Sequence, residues 1–168
     1  MSTALLLPGR GYTPAMPAFF LASIALRDAG LEPVAVEWPG PPGTLVPPDE
    51  IRRVVAAAID EQHPTVVVAK SMGTHGAPVV ADHAIDAVWI TPLLDNAACR
   101  AAIERHPGRQ LLVGGSADPL WVDPPVVSGA TVVEIPGADH GLCVQGDAVA
   151  SAEAHVVLTR AVAAFLAS

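Results

Sequence analysis

Three residues that together can perform acyl chemistry occur at separate points of the chain, each just after a short apolar run. Ser71 follows the run TVVVAK, Asp118 ends the segment QLLVGGSAD, and His140 ends the segment TVVEIPGADH. A serine attacks an acyl carbon when a histidine takes its proton and a carboxylate orients that histidine. The three residues therefore predict a nucleophile, an orienting acid and a general base.

The segment around Ser71 matches the strand–turn–helix pattern G-x-S-x-G, with Ala69 in place of the first glycine. Small residues are needed there because the serine occupies a strained turn that neighbouring backbone approaches closely. An ordinary turn with a capping serine fits this segment alone, as a turn aspartate fits Asp118 and a solvated loop histidine fits His140. The order Ser, Asp, His, with each residue after a different strand, favours the catalytic interpretation.

The elements that must position these residues alternate along the whole chain. Apolar runs predict strands over 4–7, 33–37, 65–69, 86–91, 110–114 and 131–135, and periodic segments predict helices over 15–29, 48–62, 73–82, 96–104 and 148–167. This alternation predicts right-handed crossovers and a three-layer α/β/α sandwich around a mostly parallel sheet of about six strands. Functional groups collect beyond the carboxyl ends of such strands. A Pro-Gly stretch over 39–48 is expected to form a stiff surface loop.

Length and composition exclude several classes of protein. With 168 residues, 51% hydrophobic and 15% charged, the chain is expected to form a single domain over 1–168 rather than a disordered segment. The net charge of −8 disfavours nucleic acid and anionic lipid as partners. The apolar run at the start ends at Pro8, and no apolar run approaches the ~20 residues of a membrane span. We therefore expect a cytoplasmic protein without a membrane partner.

The three motifs resemble those of the α/β-hydrolase superfamily, and most closely its small dienelactone-hydrolase-like members. The pieces that carry the resemblance are VVVAKSMGT, GGSADP and PGADHG, and the order of strands resembles the superfamily over almost the whole chain. The resemblance implies that Ser71 is the nucleophile, His140 the general base and Asp118 the orienting carboxylate. It also implies an α/β-hydrolase fold.

The resemblance further implies an oxyanion hole made of two backbone N–H groups. One belongs to Met72, directly after the nucleophile, and the other to Arg10 in the loop after the first strand, with Gly11 as the second candidate. Pro8 stands where the family often has histidine, but a backbone donor is unaffected by this departure. The Gly-Arg-Gly run lacks the spacing of a phosphate-binding loop.

Four other residues compete with these assignments. Asp95 follows the fourth strand, where some hydrolases carry their acid. Lys70 precedes the serine, but neighbouring residues on a strand end face opposite sides, which disfavours a Ser–Lys dyad. His75 follows the serine by four residues and is expected to play a structural role near the site. Cys143 is expected to be a small buried hydrophobe, and with Cys99 it makes too few cysteines for a disulfide framework.

We expect Tyr12 and Trp121 to contact the substrate first among the apolar residues on strand-end loops, which also include Phe19, Trp38, Leu93 and Leu94. Only residues 92–109 separate the fourth and fifth strands, so a lid does not fit and the site should be open unless a second subunit, as in a homodimer, covers it. The histidines show no metal-ligand spacing, and neither metal nor other cofactor is expected.

The leading hypothesis is a serine hydrolase that acts on a small-molecule ester or thioester through an acyl-enzyme. The acidic composition and apolar rim suit a neutral substrate better than a polyanion. One alternative uses the same fold and site for a cyclase, lyase or acyl-transfer step on a specialised metabolite. Another is a non-catalytic scaffold with a hydrolase fold.

Overall fold

One sheet of parallel strands organises the structure. A computed structural model describes residues 2–125 and 127–168. Within that part, six strands pair in the order β2-β1-β3-β4-β5-β6, and every neighbouring pair is parallel. The strands are β1 (Ser2–Leu7), β2 (Leu31–Ala35), β3 (Val66–Lys70), β4 (Asp86–Ile90), β5 (Gln110–Gly115) and β6 (Ala130–Ile135). The helices are α1 (Pro17–Asp28), α2 (Pro48–Gln62), α3 (Ala77–Asp82), α4 (Ala97–Glu104) and α5 (Ala148–Ala167).

The sheet is covered by helices on both faces, as the alternation of side chains in β1 shows. Leu5 and Leu7 pack on the face that α2, α3 and α4 cover. Ala4 and Leu6 point to the opposite face, which α1 and α5 cover. The predicted three-layer α/β/α sandwich with a parallel sheet of six strands is therefore confirmed.

Short polar side chains start two of the helices where the sequence predicts them. The Asn96 side chain accepts the N–H groups of Ala98 and Cys99 at the start of α4. The Asp147 side chain accepts the N–H of Ala150 at the start of α5. These caps satisfy donors that have no partner inside the helix.

The helix predicted over 73–82 begins differently in the structure. A 3-10 helix covers Ser71–Gly76, and α3 continues from Ala77. The tighter winding brings the Thr74 hydroxyl within 2.6 Å of the Ser71 carbonyl oxygen, to which it donates. Pro78, which lacks an N–H, is tolerated because it lies in the first turn of α3.

Helix α5 is long and apolar enough, by length and composition alone, to cross a membrane. The uninterrupted apolar runs of the sequence did not predict such a segment. Its buried residues pack into the core that α1 and the sheet form: Ala154, Leu158, Val162 and Phe165. Core helices of soluble proteins meet the same criteria, so these properties are weak support for a membrane span.

Candidate active site

Ser71 occupies a sharp turn at the carboxyl end of β3. Its φ is 49°, in the left-handed region that side chains rarely adopt. The turn is possible because Gly73 lies against β1, where a Cβ would come within 2.1 Å of the Leu7 carbonyl oxygen. Ala69, at the position of the first glycine in the pattern, is fully buried within β3. The strained turn presents the serine at the edge of the sheet, as the sequence pattern predicts.

The structure brings Ser71, His140 and Asp118 into one hydrogen-bonded line. An ionised carboxylate can only accept, so His140 Nδ1–H donates to Asp118 Oδ2, at 2.7 Å. Nε2 of the same ring then accepts the Ser71 hydroxyl, also at 2.7 Å. The Asp118 side chain is fully buried, whereas that of His140 is 33% exposed. One end of the line is therefore shielded from water and the other is open to a substrate.

Local hydrogen bonds fix the two loops that carry the acid and the histidine. In the turn after β5, the second carboxylate oxygen of Asp118 accepts the N–H of Leu120 at 2.9 Å. In the loop after β6, the Asp139 side chain accepts the N–H groups of Gly141 and Cys143. Asp139 therefore shapes the loop around His140 without taking part in the hydrogen bonds that join Ser71, His140 and Asp118.

A groove of about 400 Å³ lies next to Ser71, between the loop after β1 and the loop after β2. Gly9 connects the groove to the serine, since a Cβ on Gly9 would lie 3.2 Å from the Cβ of Ser71. Met72 also lines the groove, together with the apolar side chains of Pro8, Tyr12, Pro14, Val36, Trp38, Pro39, Pro41, Pro42 and Val46. The Pro-Gly stretch predicted as a surface loop therefore forms one wall of the site.

Two side chains fasten the walls of this groove to each other. Trp38 Nε1–H donates to the carbonyl oxygen of Pro8 at 2.9 Å. Arg10 Nε–H donates to the carbonyl oxygen of Gly43 at 2.7 Å. Both bonds join the loop after β1 to the loop after β2, so the groove has a defined width before any ligand enters.

Tyr12 lines the groove, and its contact with a substrate stays a prediction. Its hydroxyl accepts the N–H of Ala18 at 3.0 Å, and its ring meets that of the buried Phe19 edge to face, with centroids 5.4 Å apart. Burial raises the pKa of the Tyr12 hydroxyl. These contacts hold the tyrosine ring as a fixed apolar surface.

Trp121 does not lie on the rim, where it was predicted. Its side chain folds back over β5, and a Cβ on Gly114 would lie 2.0 Å from the indole ring. The indole Nε1–H donates to Glu134 at 2.9 Å, and the residue is only 7% exposed. Gly114 leaves the space that the ring fills, so the tryptophan is buried in the core.

The predicted oxyanion donors lie on the two sides of Ser71. Met72 is the second residue of the 3-10 helix, where N–H groups have no partner inside the helix. Arg10 follows Gly9, whose backbone borders the serine. The donation of these N–H groups to a reacting oxygen stays a prediction.

The residues that competed with these assignments are placed elsewhere. Asp95 is exposed, and the carboxylate that meets His140 is that of Asp118. His75 contacts Cys99, with 3.4 Å between Nδ1 and Sγ, and burial lowers the pKa of its imidazole. Among the described residues, no group of three or more His, Cys, Asp or Glu side chains could hold a metal ion.

Cys143 is exposed, so its prediction as a buried hydrophobe is wrong. Its neighbour Leu142 has a φ of 59° and is fully buried. The left-handed turn sends the leucine inward and leaves the cysteine outside. Lys70 does not form a dyad with the serine: its Nζ donates to the hydroxyl of Thr91 and to the carbonyl oxygen of His140.

Solved structures with the same arrangement of strands and helices identify the fold. No protein-family model and no curated protein matches the sequence. An α/β serine hydrolase homologue from Coxiella burnetii is 15% identical, with a TM-score of 0.66 over 95% of this chain and 84% of that chain. The chain has the α/β-hydrolase fold.

Other proteins of this α/β-hydrolase fold match over nearly the same length. Est1E from Butyrivibrio proteoclasticus, in a structure with ferulic acid bound, is 12% identical, with a TM-score of 0.71 over 99% of this chain and 88% of that chain. Dienelactone hydrolase from Anabaena variabilis is 17% identical, with a TM-score of 0.60 over 94% of this chain and 84% of that chain. The predicted resemblance in fold is confirmed, and a shared fold does not by itself give a shared chemistry.

Proposed function

We propose that the protein is a serine hydrolase that cleaves a carboxylic ester or thioester through an acyl-enzyme. The observation that carries the proposal is the line of two 2.7 Å hydrogen bonds from Ser71 through His140 to Asp118. Such a line lets the imidazole accept the serine proton while the carboxylate stabilises the imidazolium that forms. The strained position of the serine at the end of β3 supports the same assignment.

In the proposed reaction, Ser71 Oγ bonds to the acyl carbon as His140 Nε2 takes the hydroxyl proton. The tetrahedral intermediate collapses, the bond to the alcohol or thiol breaks, and the imidazolium gives its proton to that leaving group. Water then attacks the acyl-serine while His140 again acts as the base and takes a proton from the water. The acid product leaves as Ser71 regains its hydrogen from His140. The backbone N–H groups of Met72 and Arg10 would stabilise the oxyanion in both halves.

The groove beside the serine favours a neutral substrate with an apolar portion. Its walls include prolines, a tyrosine and a tryptophan, and Glu37 is also among the residues that line it. Together with the net charge of −8, the negative charge of Glu37 disfavours a polyanionic substrate. The similarity to Est1E, a structure with ferulic acid bound, supports an ester as the first class to test.

The proposal is tested by labelling with a fluorophosphonate and by assaying p-nitrophenyl esters and acyl thioesters of increasing chain length. We expect Ser71→Ala to abolish both labelling and hydrolysis. Ser128→Ala is the matched control, because Ser128 is exposed and precedes the amino end of β6, whereas the site lies at the carboxyl ends of the strands. Equal labelling of wild type and Ser71→Ala, or no labelling of either, would contradict an activated Ser71.

A labelled protein that hydrolyses none of these substrates would point instead to the alternative use of the site. The acyl group would then pass to an acceptor other than water, or the base would serve a cyclase or lyase step. Loss of such an activity in His140→Ala together with its retention in Ser71→Ala would identify base chemistry without an acyl-enzyme.

A further inference from the structure

The only lysine of the chain, Lys70, has a buried side chain that contacts three loops around the site. The residue is 3% exposed. Its Nζ donates to Thr91 Oγ1 at 2.8 Å and to the carbonyl oxygen of His140 at 3.0 Å, and it lies 5.0 Å from the centroid of the Tyr12 ring. The serine mechanism proposed above does not use this amine.

The three contacts belong to segments that are far apart in the sequence. Tyr12 lies in the loop after β1, which lines the groove, and Thr91 directly follows β4 with a φ of 42°. His140 lies in the loop after β6 and makes the hydrogen bond to the serine. One amino group therefore connects the loop that would supply the oxyanion donor with the loop that carries the base.

The amine is costly to bury, which argues against a role in packing alone. Among the residues that the structure describes, no carboxylate forms an ion pair with Lys70. Burial lowers the pKa of its ammonium to about 8, although the negative charges of Asp118, Asp139 and Cys143 act in the opposite direction. A methionine of similar length would fill the same space without this penalty.

We propose that Lys70 is a positioning residue whose ammonium holds the main chain of His140 so that the imidazole stays aligned between Ser71 and Asp118. This inference rests on the proposed function for its kinetic consequences. The carboxylate orients the ring through its side chain, and the lysine fixes the backbone from which the ring projects. Lys70 touches neither the serine hydroxyl nor the groove, so it acts through His140 and not on the substrate.

The proposal makes turnover sensitive to pH on the alkaline side. Below about pH 8 the amine is an ammonium and donates to both oxygens while it faces the tyrosine ring. Above that pH it is a neutral amine without the cation–π attraction, and its hold on the histidine backbone weakens. The titratable groups that face the amine from neighbouring elements are Tyr12, Asp118, Asp139, His140 and Cys143.

The kinetic test compares Lys70→Met and Lys70→Arg with wild type on an ester that the wild type hydrolyses. We expect Lys70→Met to lower kcat by about 10- to 100-fold with KM within about twofold, because small displacements of a base slow turnover without weakening ground-state binding. Lys70→Arg should recover part of kcat and should lack the alkaline limb, since a guanidinium does not titrate there. Arg53→Met, which removes an exposed cation of α2, is the control and should match wild type.

Hydrogen exchange over residues 136–147 separates this inference from the proposed function. If the wild type hydrolyses nothing, faster exchange of this segment in Lys70→Met supports the positioning role, and unchanged exchange overturns it. If the wild type is active, an unchanged kcat in Lys70→Met overturns it. Should Lys70→Met fail to fold, a wild-type kcat that stays constant between about pH 7 and pH 10 overturns it, and a fall centred near pH 8 supports it.

Discussion

Gly73 and Leu7 are packed so closely that a Cβ on Gly73 would lie 2.1 Å from the carbonyl oxygen of Leu7. This contact presses the turn after β3 against the end of β1. The loop that begins directly after Leu7 therefore lies beside Ser71, and a Cβ on Gly9 in that loop would be 3.2 Å from the serine Cβ. The glycine two residues after the serine thus sets the distance between the two sides of the proposed oxyanion hole.

Gly73→Ala is expected to lower both stability and activity, because the new methyl group forces β1 and the serine turn apart. Overpacking of this kind costs about 1–3 kcal/mol or more. Urea unfolding gives the change in free energy, and ester hydrolysis gives the change in activity. Gly30→Ala is the control, since a Cβ there meets nothing within 4 Å and adds only the strain of a φ of 80°. Equal stability of the two variants would contradict the steric account.

Much of the fold can be predicted from the sequence because the signals are local. The predicted helices 48–62 and 148–167 coincide with α2 and α5, whose starts are marked by Pro48 and by the capping Asp147. The approach of Ser71, Asp118 and His140 to one another could also be predicted. Each of them lies in the segment that follows a different strand, and parallel strands bring their carboxyl ends to one edge.

The lining of the site could not be predicted, because it depends on contacts between distant segments. Trp121 follows a strand, as a rim residue would, but it packs into the space that Gly114 leaves. The wall formed by the Pro-Gly loop depends on the bonds from Trp38 to Pro8 and from Arg10 to Gly43, and sequence spacing does not reveal them. One feature of the sequence pointed to Lys70: it is the only lysine, and it stands directly before the serine. Its contacts with distant loops could not be predicted from this.

Asp118→Asn is expected to lower kcat on the order of 10⁴-fold while the fold persists. The amide oxygen can still accept the N–H of Leu120, but the amide NH₂ would face His140 Nδ1 and favour the wrong tautomer. Steady-state kinetics measure the loss, and thermal unfolding checks the fold. Asp95→Asn, which changes the competing acid after β4, should leave kcat near the wild-type value. A large loss in Asp95→Asn with little loss in Asp118→Asn would reverse the assignment of the acid.

Trp38→Ala is expected to reduce selectivity for longer acyl or alcohol groups, because it removes an aromatic wall of the groove and the bond that ties this wall to Pro8. We expect kcat/KM to fall about tenfold for a long-chain ester and less for an acetate ester. Leu45→Ala provides a control in the same loop, since Leu45 is 68% exposed. An equal loss for short and long esters would show that the tryptophan supports the loop without contacting the substrate.

His106 is expected to make the protein less stable as the pH falls. The residue is 5% exposed, its ring lies 6.1 Å from that of Trp89 between centroids, and within the described part of the chain Nε2 has no hydrogen-bond partner. Burial lowers the pKa of the folded imidazole. The unfolded chain therefore takes up the proton more readily, and stability present above the unfolded pKa of about 6.5 is lost below it. This one group contributes a slope of at most about 1.4 kcal/mol per pH unit.

His106→Leu should flatten the dependence of the free energy of unfolding on pH, measured in urea between about pH 4.5 and pH 7.5. His63→Asn, a change at an exposed helix end, should keep the wild-type slope. A wild-type slope in His106→Leu would assign the acid sensitivity to other groups.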